Sequence, residues 1–215
     1  APDLVISLED ASLDVRLAAA WALGRLGDWP AAASIVQALA HHSRLATLRV
    51  TNIIVDMGAA AIPVVEGLLG SKSRDVRLLA LNVLNALETE SASRLAVPYL
   101  SDPETDIRVA ACQALSSLHG ATALEPLRRA LSDPAWPVRA RAALMIGRLR
   151  LSAAASALTP CLEDAAWWVR YNSGQALTRL GAAGKQTLEA ALSSPDRFAR
   201  EMAAQWLDEM SAGTS

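Results

Sequence analysis

Along most of this chain, apolar residues recur at helical spacing. Counted from Arg108, they fall one residue before and three, six, seven and ten after, as Ile107, Ala111, Ala114, Leu115 and Leu118; the same offsets from Arg139 give Val138, Ala142, Met145, Ile146 and Leu149. This is the stripe of a single helix face. A shorter helix is predicted ahead of each, over residues 123–131, 154–162 and 185–192. The turns between paired helices read Ser101-Asp102-Pro103, Ser132-Asp133-Pro134, Glu163-Asp164 and Ser194-Pro195-Asp196. Proline stops one helix there, while Asp or Ser satisfies the free amides that open the next. Gly27, Gly58 and Gly181 close second helices, where a left-handed residue is wanted.

The pattern is itself periodic. Val15-Arg16 returns as Ala46-Thr47, Val76-Arg77, Ile107-Arg108, Val138-Arg139, Val169-Arg170 and Ala199-Arg200, in steps of 31, 30, 31, 31, 31 and 30 residues. A constant period of that length predicts a solenoid. Each helical pair is too small to close a core alone, so the units must stack and expose one continuous surface. The expected fold is all-α, a right-handed superhelix of about seven stacked hairpins forming a single domain over residues 1–215. Small residues in the stripe let neighbouring helices approach to the ~8–10 Å of close packing. The chain opens with Ala1-Pro2-Asp3 and half a repeat, which reads as a trimmed or processed segment. Its Leu4-Val5-Ile6 edge is expected to be open to further repeats or to another copy, whereas Asp208, Glu209 and the polar tail 211–215 cap the other end.

Composition agrees with helices, at 52% hydrophobic but only 4% aromatic residues. Net charge is −2, too little for the basic surface that phosphate neutralisation demands. Residues 1–107 carry 8 Lys and Arg against 13 Asp and Glu, whereas residues 108–215 carry 12 against 9, so nucleic-acid binding through the mildly basic second half is a subsidiary reading. Cys112 and Cys161 fall in different units at core-like positions, which argues for reduced thiols and a cytoplasmic setting. No apolar stretch reaches the ~18 residues of a membrane span. No nucleophile–base pair, phosphate-cradling glycine loop or paired carboxylates point to catalysis, and no cofactor is implied.

The segments Asp133-x4-Val138-Arg139-x2-Ala142-Ala143 and Val15-Arg16-Leu17-Ala18-Ala19-Ala20-Trp21-Ala22-Leu23-Gly24 resemble the HEAT repeat, most closely its short ~30-residue subtype first described in phycobilisome lyases. The likeness covers about seven units; the second departs most, with Thr47 in place of Arg. The resemblance implies a scaffold or binding module, with a lyase-type or regulatory subunit acting on a tetrapyrrole or protein-bound cofactor as the alternative. Catalytic branches fit less well. The di-iron deoxyhypusine hydroxylases rely on His-Glu pairs, and none of His41, His42 and His119 is followed by Glu. The DNA glycosylases of related form use a basic groove. The recurring Arg16, Arg77, Arg108, Arg139 and Arg170 are read as structural, with Asp14, Asp75 and Asp106 placed to bridge to them or to adjacent repeats.

In such solenoids the second helices line the concave side. With the stripe buried, positions two, five and nine after the Arg face outward. Position five reads Trp21, Asn52, Asn82, Gln113, Leu144, Gln175 and Gln205. Amides offer donor and acceptor together, so such a column is suited to the backbone of an extended protein or peptide partner. Arg141, Arg148, Asn172, Gln175 and Arg179 are expected to form a polar, basic patch for an anionic group. Trp136, Trp167, Trp168 and Phe198 should gather at the turn edge. Their expected role is to cover the end of the neighbouring core, with an aromatic hot spot as the functional alternative.

Overall fold

The computed structural model describes residues 2–7, 10–12, 15, 16, 18, 19, 22, 23, 26, 51, 52 and 54–212. Gly27 and Trp21 lie outside the described residues, as does the Ala46-Thr47 anchor. Every regular element among the described residues is helical. The fold is an all-α solenoid of helical hairpins, in two compact units, Ala1–Ala96 and Val97–Ser215.

In the first unit, α1 spans Pro2–Ser7, and a 3₁₀ turn at Gly58–Ala61 leads into α2 (Ile62–Leu69), α3 (Arg74–Leu87) and α4 (Glu90–Ala96). Pro63 starts α2 where its missing N–H costs nothing. Val64, Val65, Leu68 and Leu69 of α2 are buried, as are Val76, Leu79, Ala80, Leu81, Val83 and Leu84 of α3, and the two helices pack on each other.

The second unit continues with a 3₁₀ turn at Val97–Ser101, then α5 (Thr105–Ala114), α6 (Gly120–Ala130), α7 (Trp136–Arg148), α8 (Trp167–Arg179), α9 (Ala182–Ala191) and α10 (Arg197–Ala212). Second helices form one row, α5 on α7, α7 on α8, α8 on α10. The first segments form another, in which α6 touches Val97–Ser101 and the segment after α7, and α9 touches that segment in turn. The segment after α7 departs from the expected α-helix and winds as two 3₁₀ stretches, Ser152–Leu158 and Pro160–Glu163. Pro160 has no N–H to donate and its ring crowds the preceding turn, so the helical ladder breaks at Thr159.

Offsets minus one, three and six are buried in α3, α5, α7, α8 and α10, and offset seven in all but the last. The core extends further. Leu79, Ala110 and Met202 at offset two, and Cys112, Ala143 and Gly174 at offset four, are buried as well. A second helix meets its own first helix and two neighbouring second helices, so it buries more of its circumference than a one-sided stripe supplies.

Two glycines set how closely that row packs. A Cβ on Gly147 in α7 would stand 2.7 Å from the Ala176 Cα in α8, and one on Gly174 would run into the Trp206 indole of α10. Gly58, Gly120 and Gly181 take positive φ at junctions between helical segments; Glu88 (φ 49°) and Arg150 (φ 51°) hold the same conformation with a side chain attached.

The arginine ladder has a constant inner half. From each of Arg16, Arg77, Arg108, Arg139, Arg170 and Arg200, Nη1 donates to the carbonyls six and five residues earlier, clasping its own turn. The outer half reaches the next repeat. Arg108 grips both carboxylate oxygens of Asp133 from Nε (2.7 Å) and Nη2 (2.9 Å), and Arg139 grips Asp164 in the same way (2.6 and 2.9 Å). Each Asp also accepts the backbone N–H two residues on, so one carboxylate caps its turn and locks the repeat before it. Arg108 is thus held by Asp133 and not by Asp106 of its own helix, and Asp75 is bound to Arg74 at 2.8 Å; Asp14 lies outside the described residues. A residue two positions before the Arg sits on its own helix, whereas the guanidinium points at the neighbouring turn. Burial pushes the Asp133 and Asp164 carboxyls up. Hydrogen bonds from Arg108 and Arg139, backbone amides and the guanidinium charges outweigh it and hold both below the usual carboxylate range.

Gly174→Ala should therefore cost about 1–3 kcal/mol through overpacking against Trp206, while Arg150→Gly should gain up to about 1 kcal/mol by relieving the left-handed residue; urea unfolding measures both. Asp164→Asn should cost about 3 kcal/mol by leaving Arg139 half buried without its counter-charge. Because the folded carboxyls titrate below an unfolded value of about 3.9, their contribution is whole above that pH and drains as pH falls through the lower folded pKa. Unfolding free energies of Asp164→Asn measured from pH 7 to pH 3 should accordingly fall less steeply than those of the parent chain.

Candidate functional site

What the core leaves free on the second helices is a row of equivalent positions. Asn52 and Asn82 are exposed in the first unit. In the second unit Gln113 on α5, Leu144 on α7 and Gln175 on α8 are half-buried, and Gln205 on α10 is exposed. Helices packed side by side carry these four at matching turns. The Gln113 and Gln175 side-chain amides meet no protein partner, while Gln205 donates to Glu209 at 3.1 Å. Leu144 interrupts the amides with an apolar rung.

Asn172, expected in the basic patch, instead donates to the Ala140 carbonyl at 3.1 Å and ties α8 to α7. Arg141 is half-buried and Arg148 and Arg179 are exposed, and none of the three forms an ion pair. Arg141 and Arg148 lie seven residues apart on α7, two turns along one face, and Arg179 takes on α8 the place that Arg148 takes on α7. The row thus offers free guanidinium groups beside free amides.

The aromatic residues open the second helices at the turn edge, Trp136 on α7, Trp167 and Trp168 on α8 and Phe198 on α10. They do not seal the neighbouring core as expected, for Trp168 is 54% exposed and the other three are nearly as open. First-turn side chains lie beyond the close contact of the helix row, so packing ends before it reaches them. The structure brings some of them together. Trp167 stacks on Tyr171 (4.9 Å) and meets Trp168 edge-on (4.8 Å), and Tyr171 leans on Trp206 (5.2 Å), which is buried with its N–H on the Met202 sulfur (3.2 Å). An aromatic path therefore runs from solvent to core. Phe198 stands apart from it with its ring 4.4 Å from the Arg170 guanidinium carbon.

Sequence reasoning did not anticipate the state of Arg170, although its signal is visible. The position six before the Arg is Asp10, Asp102, Asp133 and Asp164 but Ser71 and Ser194, so the carboxylate is missing from the last turn. Two clefts were equally unforeseen, both between first segments on the other side of the layer. One, about 400 Å³, is lined by Val97, Pro98, Leu100, Pro126, Arg129 and Asp133; the other, about 530 Å³, by Glu125, Arg128, Leu131, Ser132, Pro160 and Cys161 among others.

Neither thiol is poised as a nucleophile. Burial pushes Cys112 up to about 12 and Cys161 up to about 11, and both are free. Among the described residues no group of three or more His, Cys, Asp or Glu is arranged to hold a metal ion, and no helix is long and apolar enough to cross a membrane. At the N-terminal edge Leu4 is half-buried and Ile6 exposed.

Comparison with known proteins places the architecture. The chain is similar across 98% of its length to YibA of Escherichia coli, with 18% identity, 82% of that chain covered and a TM-score of 0.57. An engineered protein matches with 16% identity, 98% of each chain covered and a TM-score of 0.53. A designed armadillo repeat protein in complex with the peptide (KR)4 matches with 17% identity, 97% of this chain and 98% of that chain covered, and a TM-score of 0.52. No curated protein matches the sequence. At these identities the structures speak for the fold alone. The HEAT repeats family matches residues 61–144 and 93–178, together more than half of the chain, and a single HEAT repeat matches residues 2–29. With its 30- and 31-residue hairpins and their clasped turns, this chain belongs to the HEAT-repeat family.

Proposed function

We propose that the protein is a non-enzymatic, cytoplasmic interaction scaffold that holds an extended segment of a protein or peptide partner along the free face of its second helices. The observation that carries this reading is the set of unengaged groups on that face, the Gln113 and Gln175 amides and the Arg141, Arg148 and Arg179 guanidiniums, at matching turns of packed helices. Each amide pairs with one N–H and one C=O of a ligand backbone. Packed helices lie ~8–10 Å apart, and a polyproline-II chain advances ~9 Å in its three-residue turn, so such a ligand would present the same side to every rung. Carboxylates on the ligand suit the unpaired arginines. The similar designed armadillo repeat protein carries a peptide, which supports the kind of partner. The high thiol pKa values accord with a binding role. Trp21 occupies the same register as the amides and is included in the surface on sequence grounds. The repeat period runs unbroken from Arg77 to Arg108, across the boundary between the two units, which supports a single working domain over 1–215.

Affinity capture with the intact chain, repeated after Trp21→Ala and Gln175→Ala, tests the surface. Each variant should lose recovered partner, Gln175→Ala by about fivefold for one hydrogen-bonding amide, with an unfolding midpoint unchanged from the parent. Unaltered recovery with both variants would remove the proposed face. The double charge reversal Arg148→Glu with Arg179→Glu should weaken the same partner and flatten the salt dependence of its binding; intact binding there would restrict the contact to the amides.

A further inference from the structure

Two arginines of the second unit follow one rule and a third breaks it. Arg108 and Arg139 each spend Nη1 on their own turn and Nε with Nη2 on a carboxylate from the following repeat. Arg170 keeps the first half, donating to the carbonyls of Asp164 (2.7 Å) and Ala165 (3.1 Å). Its second half is empty. The residue is only 8% exposed, yet its Nε has no hydrogen-bond partner. The following turn supplies Ser194 where the two preceding turns supply Asp133 and Asp164. Ser194 Oγ keeps the local duty of those carboxylates, accepting the Asp196 N–H at 3.1 Å, and donates its own proton to Glu163 Oε1 at 2.8 Å. Asp196 is spent on the Ala199 N–H at 2.8 Å. What covers the guanidinium instead is the half-exposed ring of Phe198.

A buried guanidinium that lacks its counter-charge is costly to keep. The other serine at this register, Ser71, follows the repeat that carries Thr47, so serine there faces no arginine in register. At this register Arg77, Arg108 and Arg139 are followed by Asp102, Asp133 and Asp164, whereas Arg16 is followed by His41 and Arg170 by Ser194. We infer that Arg170 receives a carboxylate from outside the repeat stack, the side chain of an acidic residue on a protein partner, which takes the place that Asp133 and Asp164 fill for Arg108 and Arg139. Geometry selects a carboxylate, since that is the group the two equivalent forks hold with paired bonds of 2.6–2.9 Å. Exposed Phe198 over the guanidinium and Trp167 one turn before Arg170 add aromatic surface of the kind that surrounds a buried anchor. This site lies at the turn edge, uses none of the amide-face residues and does not rest on the function proposed for them.

The probe is sodium acetate, with sodium chloride at equal ionic strength as control, and the readout is the NMR resonance of the Arg170 Nε–H, assigned by its absence in Arg170→Lys. Acetate should shift that resonance saturably in the intact protein while chloride leaves it in place. Ser194→Asp should supply the missing carboxylate internally, moving the resonance toward those of Arg108 and Arg139, raising the unfolding midpoint and abolishing the acetate response. Glu163→Gln, which lowers the negative charge beside Ser194, should strengthen the response. Equal shifts with acetate and chloride, or an acetate response that survives Ser194→Asp, would overturn the inference. So would a response confined to Glu163→Gln, since Glu163 itself would then be the partner.

Discussion

One guanidinium position couples the two levels on which a repeat protein must hold together. Hydrophobic burial drives hairpins to stack, but a greasy stripe of Ala, Leu and Val tolerates small slips between layers, because burial is not directional. The arginine that opens each second helix supplies direction. Its Nη1 fixes the conformation of its own turn, and at Arg108 and Arg139 Nε and Nη2 reach a carboxylate that is itself capping the next turn. A slip of one layer would break the bidentate pair and leave a desolvated charge on both sides. The side chains of Arg108 and Asp133 are 12% and 8% exposed, dry enough for that penalty to matter.

The rest of the stack follows from the same spacing. With hairpins held at a fixed register, small residues at recurring offsets determine how near the helices come, and Gly147 against Ala176 and Gly174 against Trp206 mark the tightest approaches of α7, α8 and α10. Close packing consumes most of each second helix. What survives is a narrow outward strip, and its composition is polar without being paired internally. The backbone of a rigid row has little further entropy to lose on binding, which lowers the ordering cost that recognition by modest groups such as amides must offset.

Much of this could be read in advance, and the failures have physical causes. Offsets minus one, three and six after the arginine predict Ile107, Ala111 and Ala114 in the core because helix geometry is local. Leu79 and Met202 at offset two escaped because burial on a helix flanked from three sides depends on neighbours, not on period. The 3₁₀ winding around Thr159-Pro160 was masked by an Ala-rich composition that suits an α-helix. Asp133 as the partner of Arg108 is 25 residues distant, and only aligning the repeats on one another reveals that it occupies the position six before the next arginine. The exposure of Trp136, Trp167 and Trp168 was hidden for a different reason: which way a first-turn side chain leans is decided by where the adjacent helix stops.

Stability and recognition are divided between different parts of each repeat, and this bears on how such a chain can acquire a partner. The clasped turns and the stripe cannot vary without cost, since each group serves two neighbours at once. The outward strip serves none, so it is free to carry specificity. The last clasp shows where the division blurs. At Ser194 a group that elsewhere belongs to the internal lock has been released, and the arginine it would have held stays buried under a half-exposed ring. A lock with one half removed is a receptor in the chemical sense: its donors are already oriented and desolvated, so a carboxylate arriving from outside meets a fork whose ordering cost the fold has already met.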